Sequence, residues 1–228
     1  MDGGHGSPGH IRTHRGTGAV RRNRAATEFT RTRVLQAALE AFAASGVRAT
    51  TLENVARLAG VTRGAVYWHF ENKAALVAAI IDQLRWPMDI GPDMVAYQAH
   101  PEPLQLLRAQ MWRQMTRCME DPDQWRAAQL VLRHPARGEL PAGVVTRIGR
   151  TMGDTVARLS RVMTLARERR QLREGLRPAC VARGLHSVGI AVLAEHANQR
   201  EERRRRASLL CIDLFMAGAC SNAPAMQS

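Results

Sequence analysis

Apolar residues recur along this chain with the period of a helix and nowhere alternate like those of a strand. Between residues 31 and 45, Leu35, Ala38, Leu39 and Phe42 fall on one stripe, and Gly46 ends the run. A shorter stripe follows in Leu52, Val55, Ala56 and Ala59. Thr50 or Thr51 is placed to cap it, since a hydroxyl can accept an orphan N–H of the first turn. Gly60 closes it, because a left-handed residue after a helix costs glycine no Cβ clash. Thr62 then caps a third helix through Arg63, Gly64, Ala65, Val66, Tyr67, Trp68 and His69. Ala56 and Gly64 are small where two crossing helices would approach closely. Glu71 or Asn72 opens a fourth helix through Lys73, Leu76, Ile80 and Leu84, which Pro87 ends or kinks.

Pro87, Gly91, Pro92, Pro101 and Pro103 predict a loop over 87–103. A helix over 103–120 carries Leu104, Leu107, Met111, Met115, Cys118 and Met119 on one face, and Asp121-Pro122 breaks it. Further helices are predicted at Trp125 to Leu132, Val144 to Leu172, 179–197 and 202–219. In the long one, Ile148, Met152, Val156, Leu159, Met163 and Ala166 recur on one side. The fold class is all-α. It divides into a basic tail at 1–27, a three-helix domain at 28–88 and a longer helical domain at 89–221. The tail has too few apolar residues to bury a core and is expected to be disordered.

Charge sharpens the picture. Of 228 residues, 33 are Lys or Arg and 20 are Asp or Glu, and Lys73 is the one lysine. Such a balance favours polyanionic partners, because contacts with phosphates release counterions. It also serves solubility. Residues 1–33 carry Arg12, Arg15, Arg21, Arg22, Arg24, Arg31 and Arg33 against Asp2 and Glu28. That segment reads as an arm along phosphates or in a minor groove, or as a solvated tail. The V-R-R-N-R beginning at Val20 also resembles a natural start. His5, His10 and His14 form no convincing metal site in so flexible a stretch.

Cys118, Cys180, Cys211 and Cys220 have gaps that fit no zinc pattern, and buried reduced thiols are expected. No apolar run approaches the roughly 18 residues of a membrane span, and the first 20 residues lack a secretory core. The expectation is a cytoplasmic protein with no membrane association, no metal and no cofactor. No nucleophile elbow, zinc-hydrolase motif, P-loop or dinucleotide fingerprint occurs, so an enzyme is not expected.

The stretch Thr51 to Phe70 makes a helix-turn-helix, whose second helix can enter a major groove. Arg63, near the start of that helix, can pair bidentately with guanine O6 and N7. Tyr67 and His69 can donate to phosphates. Lys73 adds a point charge beside the exposed N–H groups of the next helix. Trp68 reads equally as contact or packing, and His69 as contact or cap.

With T-R-V-L-Q-A-A-L-E-A-F-A-A-S-G before the unit and E-N-K-A-A-L after it, the chain resembles the TetR family of transcriptional regulators. G-V-T-R-G-A-V-Y-W-H-F is similar to its multidrug-efflux-repressor branch. The resemblance covers residues 28–88. It implies that Thr50, Thr51, Thr62, Arg63, Gly64, Tyr67, Trp68, His69 and Lys73 face double-stranded DNA at a palindromic operator. It also implies a homodimer and a pocket for a small hydrophobic effector.

For that pocket the chain offers Met111, Trp112, Met115, Met119, Trp125 and Met163, since methionine adapts to varied apolar shapes. Plain core is the other reading of the same residues. Gln129 and His134 are candidates to orient a polar ligand group. For dimerisation it offers Leu185, Val188 and Val192 on one helix, and Leu209, Ile212, Phe215 and Met216, with Leu210 and Leu214 alongside, on the next. The function expected is a repressor released by a hydrophobic ligand, with an effector-free regulator of the same fold as the alternative.

Overall fold

The computed structural model describes residues 16–133, 140–196 and 202–220. The described residues form helices and the turns between them, with one isolated antiparallel bridge between Leu172 and Cys220.

The first helix, α1, spans Gly16–Ala49 and carries the N-terminal half. Val34, Leu35, Ala38 and Phe42 line its buried side. Gly46 breaks it at φ 80, so the sequence rule that stops a helix at glycine holds there. The other end corrects the sequence reading. Residues 16–27, expected to be disordered, are helical, while residues 1–15 lie outside the described residues. Lack of apolar residues forbids a core, but it does not stop a helix already nucleated downstream from adding turns of Ala and Arg.

α2 (Leu52–Ala59) and α3 (Arg63–His69) follow their local signals closely. Thr51, not Thr50, caps α2: its Oγ1 accepts the Asn54 N–H at 3.1 Å. Gly60 sits at φ 62, and its N–H returns to the last turn. Thr62 Oγ1 accepts the Ala65 N–H at 3.1 Å to open α3. Asn72 Oδ1 does the same for Ala75 at 2.9 Å, opening α4 (Lys73–Gln83). Val55, Ala56, Ala59, Val66, Phe70, Leu76 and Val77 close over α1 as one apolar cluster. Gly64 does not join it. It is exposed, and the nearest atom to an added Cβ would be Thr62 Oγ1 at 3.9 Å. The expected close helix crossing at Gly64 is therefore absent.

The cluster continues into the second half. Ala127, Ala128, Leu130 and Val131 of α7 (Pro122–Arg133) pack on α1 and α4, with Val144 and Ile148 of α8 (Ala142–Glu168). Gln124 ties the two halves further. Its Nε2 donates to the Gln83 carbonyl at 3.0 Å, and its Oε1 accepts the Arg85 N–H at 2.7 Å. This clamp serves backbone groups that the end of α4 leaves orphaned.

A second apolar cluster begins at Met88 and Ile90. The 87–103 stretch is less irregular than its prolines suggest: α5 (Val95–Ala99) forms within it and buries Tyr97 completely. Burial pushes the Tyr97 phenol up to about 12, so it stays neutral, and it donates to Gln110 Oε1. α6 (Pro103–Glu120), α8, α9 (Pro178–His196) and α10 (Glu202–Ala219) complete the cluster. α8 stops at Glu168, short of the predicted Leu172. Arg170 turns left-handed at φ 58, and the Gln171 N–H folds back to the Ala166 carbonyl at 2.9 Å.

Two expectations for the second half change. Leu185, Val192, Leu209, Ile212 and Met216, offered as a dimer face, are buried in the chain's own core, with Val188 half-buried beside them. α9 and α10 turn these stripes inward, onto α8 and each other. Gly184 allows this packing, since a Cβ there would meet Phe215 Cζ at 2.8 Å. Among the described side chains of α10, the large apolar residues left outside are Leu210 and Leu214, 49% and 56% exposed. Of the cysteines, Cys118 is buried, but Cys180 and Cys211 are exposed, against the expectation of buried thiols.

Candidate nucleic-acid interface

α3 presents its polar side outward because Val66 and Phe70 anchor the other side in the first cluster. Arg63, Gly64, Tyr67 and Trp68 are thereby exposed together, Trp68 at 71%. That exposure resolves the two readings of Trp68 against packing. Its ring meets His69 edge-on at a centroid distance of 4.6 Å.

Arg63 is not loose. Its Nη1 lies 2.5 Å from Glu53 Oε1 on α2, and its guanidinium carbon sits 5.3 Å from the centre of the Tyr67 ring. Contact with the Tyr67 hydroxyl, then the Glu53 charge, raises its pKa, so it remains a cation. Both partners of the ion pair are well exposed, so the pair orients the fork rather than stabilising the fold. Glu53 was not anticipated. It lies ten residues upstream, on another helix, and no local spacing links it to Arg63.

His69 is half-buried. Desolvation, then the neighbouring Arg31, lowers its pKa and favours the neutral imidazole. Arg31, from α1, lies over the Phe70 ring at 5.3 Å. Arg33, also from α1, donates to the Ala59 carbonyl at 2.6 Å and caps the end of α2.

Thr50 and Lys73 differ from expectation. Thr50 is 2% exposed, and its hydroxyl donates to the Gly46 carbonyl at 2.8 Å. Its side chain is used inside the domain and is withdrawn from any DNA face. Lys73 Nζ donates to the Arg48 and Thr50 carbonyls at 3.0 and 2.9 Å. An ammonium has three donors, so one remains for a phosphate. Thr51 and Thr62 are exposed, with hydroxyls that accept from the backbone and still carry a proton to donate. Arg48, Thr50, Thr51, Leu52, Tyr67, Glu71, Asn72 and Lys73 line an open depression of about 350 Å³ between α2, α3 and α4. The start of α4 opens onto it, a setting that favours an anion.

The residues offered for a ligand pocket lie in the second cluster. Met111, Met115 and Met163 are completely buried, and Trp112 and Trp125 are half-buried at its edge. Trp112 Nε1 donates to Asp213 Oδ1 at 3.0 Å, the polar partner its indole requires. Arg108 grips the same carboxylate through Nε and Nη2 at 2.6 and 2.8 Å. Burial pushes the Asp213 carboxyl up, but the hydrogen bonds from Arg108 and Trp112 outweigh it and hold the group below its ordinary value. A crevice of about 220 Å³ lies elsewhere, between α1, α4 and α7. Gln129 is half-buried on α7, and His134 lies outside the described residues.

A three-helix unit with an exposed, cationic third helix, set on a larger helical body, defines a helix-turn-helix DNA-binding regulator. The sequence profile of bacterial regulatory proteins of the tetR family matches residues 34–80. Likeness to a solved relative extends over nearly the whole chain, and the chain belongs to the TetR family. That relative is SmeT, the repressor of the Stenotrophomonas maltophilia multidrug efflux pump SmeDEF. It is 30% identical with a TM-score of 0.69, over 89% of this chain and 99% of SmeT. NalD, the secondary repressor of the MexAB-OprM pump in Pseudomonas aeruginosa, shares the fold at a TM-score of 0.72 and 24% identity, over 87% of this chain and 99% of NalD. The regulator TtgR of Pseudomonas putida is 54% identical over 65 residues, 28% of this chain. That match spans 31% of TtgR, about a third of its length.

Proposed function

We propose that this chain is a transcriptional repressor that binds a palindromic operator as a homodimer and leaves it when a small hydrophobic ligand binds. The observation that carries the reading is the α3 surface. Arg63, Tyr67 and Trp68 stand exposed on a helix whose other side is locked in core. Arg63 is the base reader, and Thr51, Thr62, Tyr67, His69 and Lys73 position the helix on phosphates. Gly64 leaves room for the DNA backbone or base edges to come close.

Two readers must be held about one helical turn apart, or a multiple of it, to occupy both half-sites. Leu210 and Leu214 of α10 supply the apolar surface for pairing. The exposed, mostly small residues Ser187, Ala191 and Ala194 of α9 admit a partner helix nearby. NalD and SmeT, which resemble this chain over most of its length, are repressors of multidrug efflux pumps, and SmeT has been solved with triclosan. A pump gene and a hydrophobic effector are the matching proposals here, in a cytoplasmic setting.

The effector would enter beside Met111, Met115 and Met163, the adaptable part of the second cluster, and would shift the spacing of the two readers. Such a shift requires different ligand affinities in the two states. The complete burial of these methionines favours a second reading, a regulator of the same fold without an effector. One experiment separates them: footprint the intergenic region beside the gene, then titrate the protected duplex with dyes, antibiotics and amphiphiles. Release by any of them supports the first reading, and release by none supports the second. Absence of a protected palindrome at low salt sinks both.

A further inference from the structure

We infer that Glu53 of α2 sets the specificity of operator binding: it holds the Arg63 guanidinium toward the groove floor and so denies it to phosphates. The inference rests on the reading of Arg63 as the base reader. Glu53 is an acid on the surface that also exposes Thr51, Thr62, Arg63 and Tyr67. A carboxylate facing a polyanion weakens binding to every sequence, so some gain must offset it. Fold stability is not that gain. Thr51 Oγ1 already caps α2, and the Glu53 and Arg63 side chains are both 61% exposed, where an ion pair contributes little. An acid in the first turn of α2 does suit the helix dipole, but that role would be served equally with Arg63 absent. Glu53 instead turns its carboxylate onto Arg63.

The fork is gripped from two sides. Arg63 Nη1 lies 2.5 Å from Glu53 Oε1, and Arg63 Nη2 lies 3.5 Å from the Tyr67 hydroxyl one turn along α3. The guanidinium carbon sits 5.3 Å from the centre of the Tyr67 ring. An arginine carries five N–H donors, so the two contacts leave enough for the O6 and N7 acceptors of one guanine. Guanine can therefore be read with the ion pair intact. Phosphates line the walls of the groove, not its floor. To reach one, Arg63 must swing away from Glu53 and leave an unpaired carboxylate beside the DNA backbone. The pair thus costs little on the operator and adds a penalty on other sequences, where a phosphate is the partner on offer. Discrimination of this kind comes from a repulsion added against the wrong site, beside the attraction to the right one. Without Glu53, a long flexible arginine would take phosphate oxygens at any sequence.

The test uses the full-length chain. Wild type, Glu53→Gln, Arg63→Ala and the double variant are titrated against the footprinted operator and a scrambled duplex at several salt concentrations. Glu53→Gln should tighten binding to scrambled DNA and narrow the operator-to-scrambled affinity ratio by about two- to fivefold, the scale of an exposed ion pair. On scrambled DNA its log–log salt slope should steepen by about 0.9 per subunit, because Arg63 gains a phosphate, while the slope on the operator holds. In the Arg63→Ala background, adding Glu53→Gln should leave the ratio unchanged. A ratio unmoved by Glu53→Gln, with or without a fall in melting temperature, would overturn the inference. So would an equal change of ratio with Arg63 absent, which would make Glu53 a DNA contact in its own right. Either result leaves Arg63 as the base reader, so long as Arg63→Ala itself lowers the ratio. Equal losses on both duplexes for Arg63→Ala, or failure of the wild type to bind any palindrome, would overturn that reading and this inference together.

Discussion

Lys73 faces two tasks, and replacing it separates them. Its Nζ holds the Arg48 and Thr50 carbonyls at 3.0 and 2.9 Å, pinning the α1–α2 connection to the start of α4. Hydrogen bonds from a charged donor contribute about 1.5–3 kcal/mol each when buried. Lys73 is only half-buried, so about 1–3 kcal/mol in total is the reasonable figure for Lys73→Gln. At roughly 2–4 °C per kcal/mol for a chain of this size, the melting temperature should fall by about 2–12 °C. The third donor and the charge are left for a phosphate, so the salt slope should also flatten by about 0.9 per subunit. The paired assays are thermal unfolding and operator binding titrated at several salt concentrations, on cognate and scrambled duplexes. Loss of stability with an unchanged slope would refute the phosphate role and leave Lys73 as a strut. A flattened slope with unchanged melting would refute the strut.

Three further outcomes are expected. Arg63→Ala should lower affinity for the operator about tenfold or more while changing affinity for scrambled DNA little; equal losses in a binding titration would make Arg63 a phosphate contact. Leu214→Glu should yield folded monomers by sedimentation, because Leu214 is exposed, whereas Ile212→Glu should unfold the chain, because Ile212 is fully buried; a dimeric Leu214→Glu would move the interface elsewhere. Asp213 has a carboxyl held below its ordinary value when folded, so its stabilisation is present above the unfolded pKa and is lost as pH falls through the folded one. Asp213→Asn should therefore destabilise near neutral pH and converge with wild type in strong acid, as read by denaturant unfolding across pH; a gap that persists in acid would contradict the linkage.

What the sequence determined by itself was local. The caps at Thr51, Thr62 and Asn72 and the stop at Gly60 act within four residues, so their identities specify the helix-turn-helix without reference to the rest. Apart from α5, which forms within a stretch read as loop, the helix order of the second half was also legible, because periodicity records which residues are buried. Periodicity does not record what they are buried against. Leu209, Ile212 and Met216 therefore read as a surface for another chain until α9 and α6 were seen to cover them, with Leu210 and Leu214 left outside. Tertiary structure alone likewise decided that Thr50 turns its hydroxyl inward, that Glu53 holds Arg63, and that Arg31 of α1 lies over Phe70 at the end of α3. Each of these depends on groups brought together from separate turns or helices. A one-dimensional pattern carries no term for that distance.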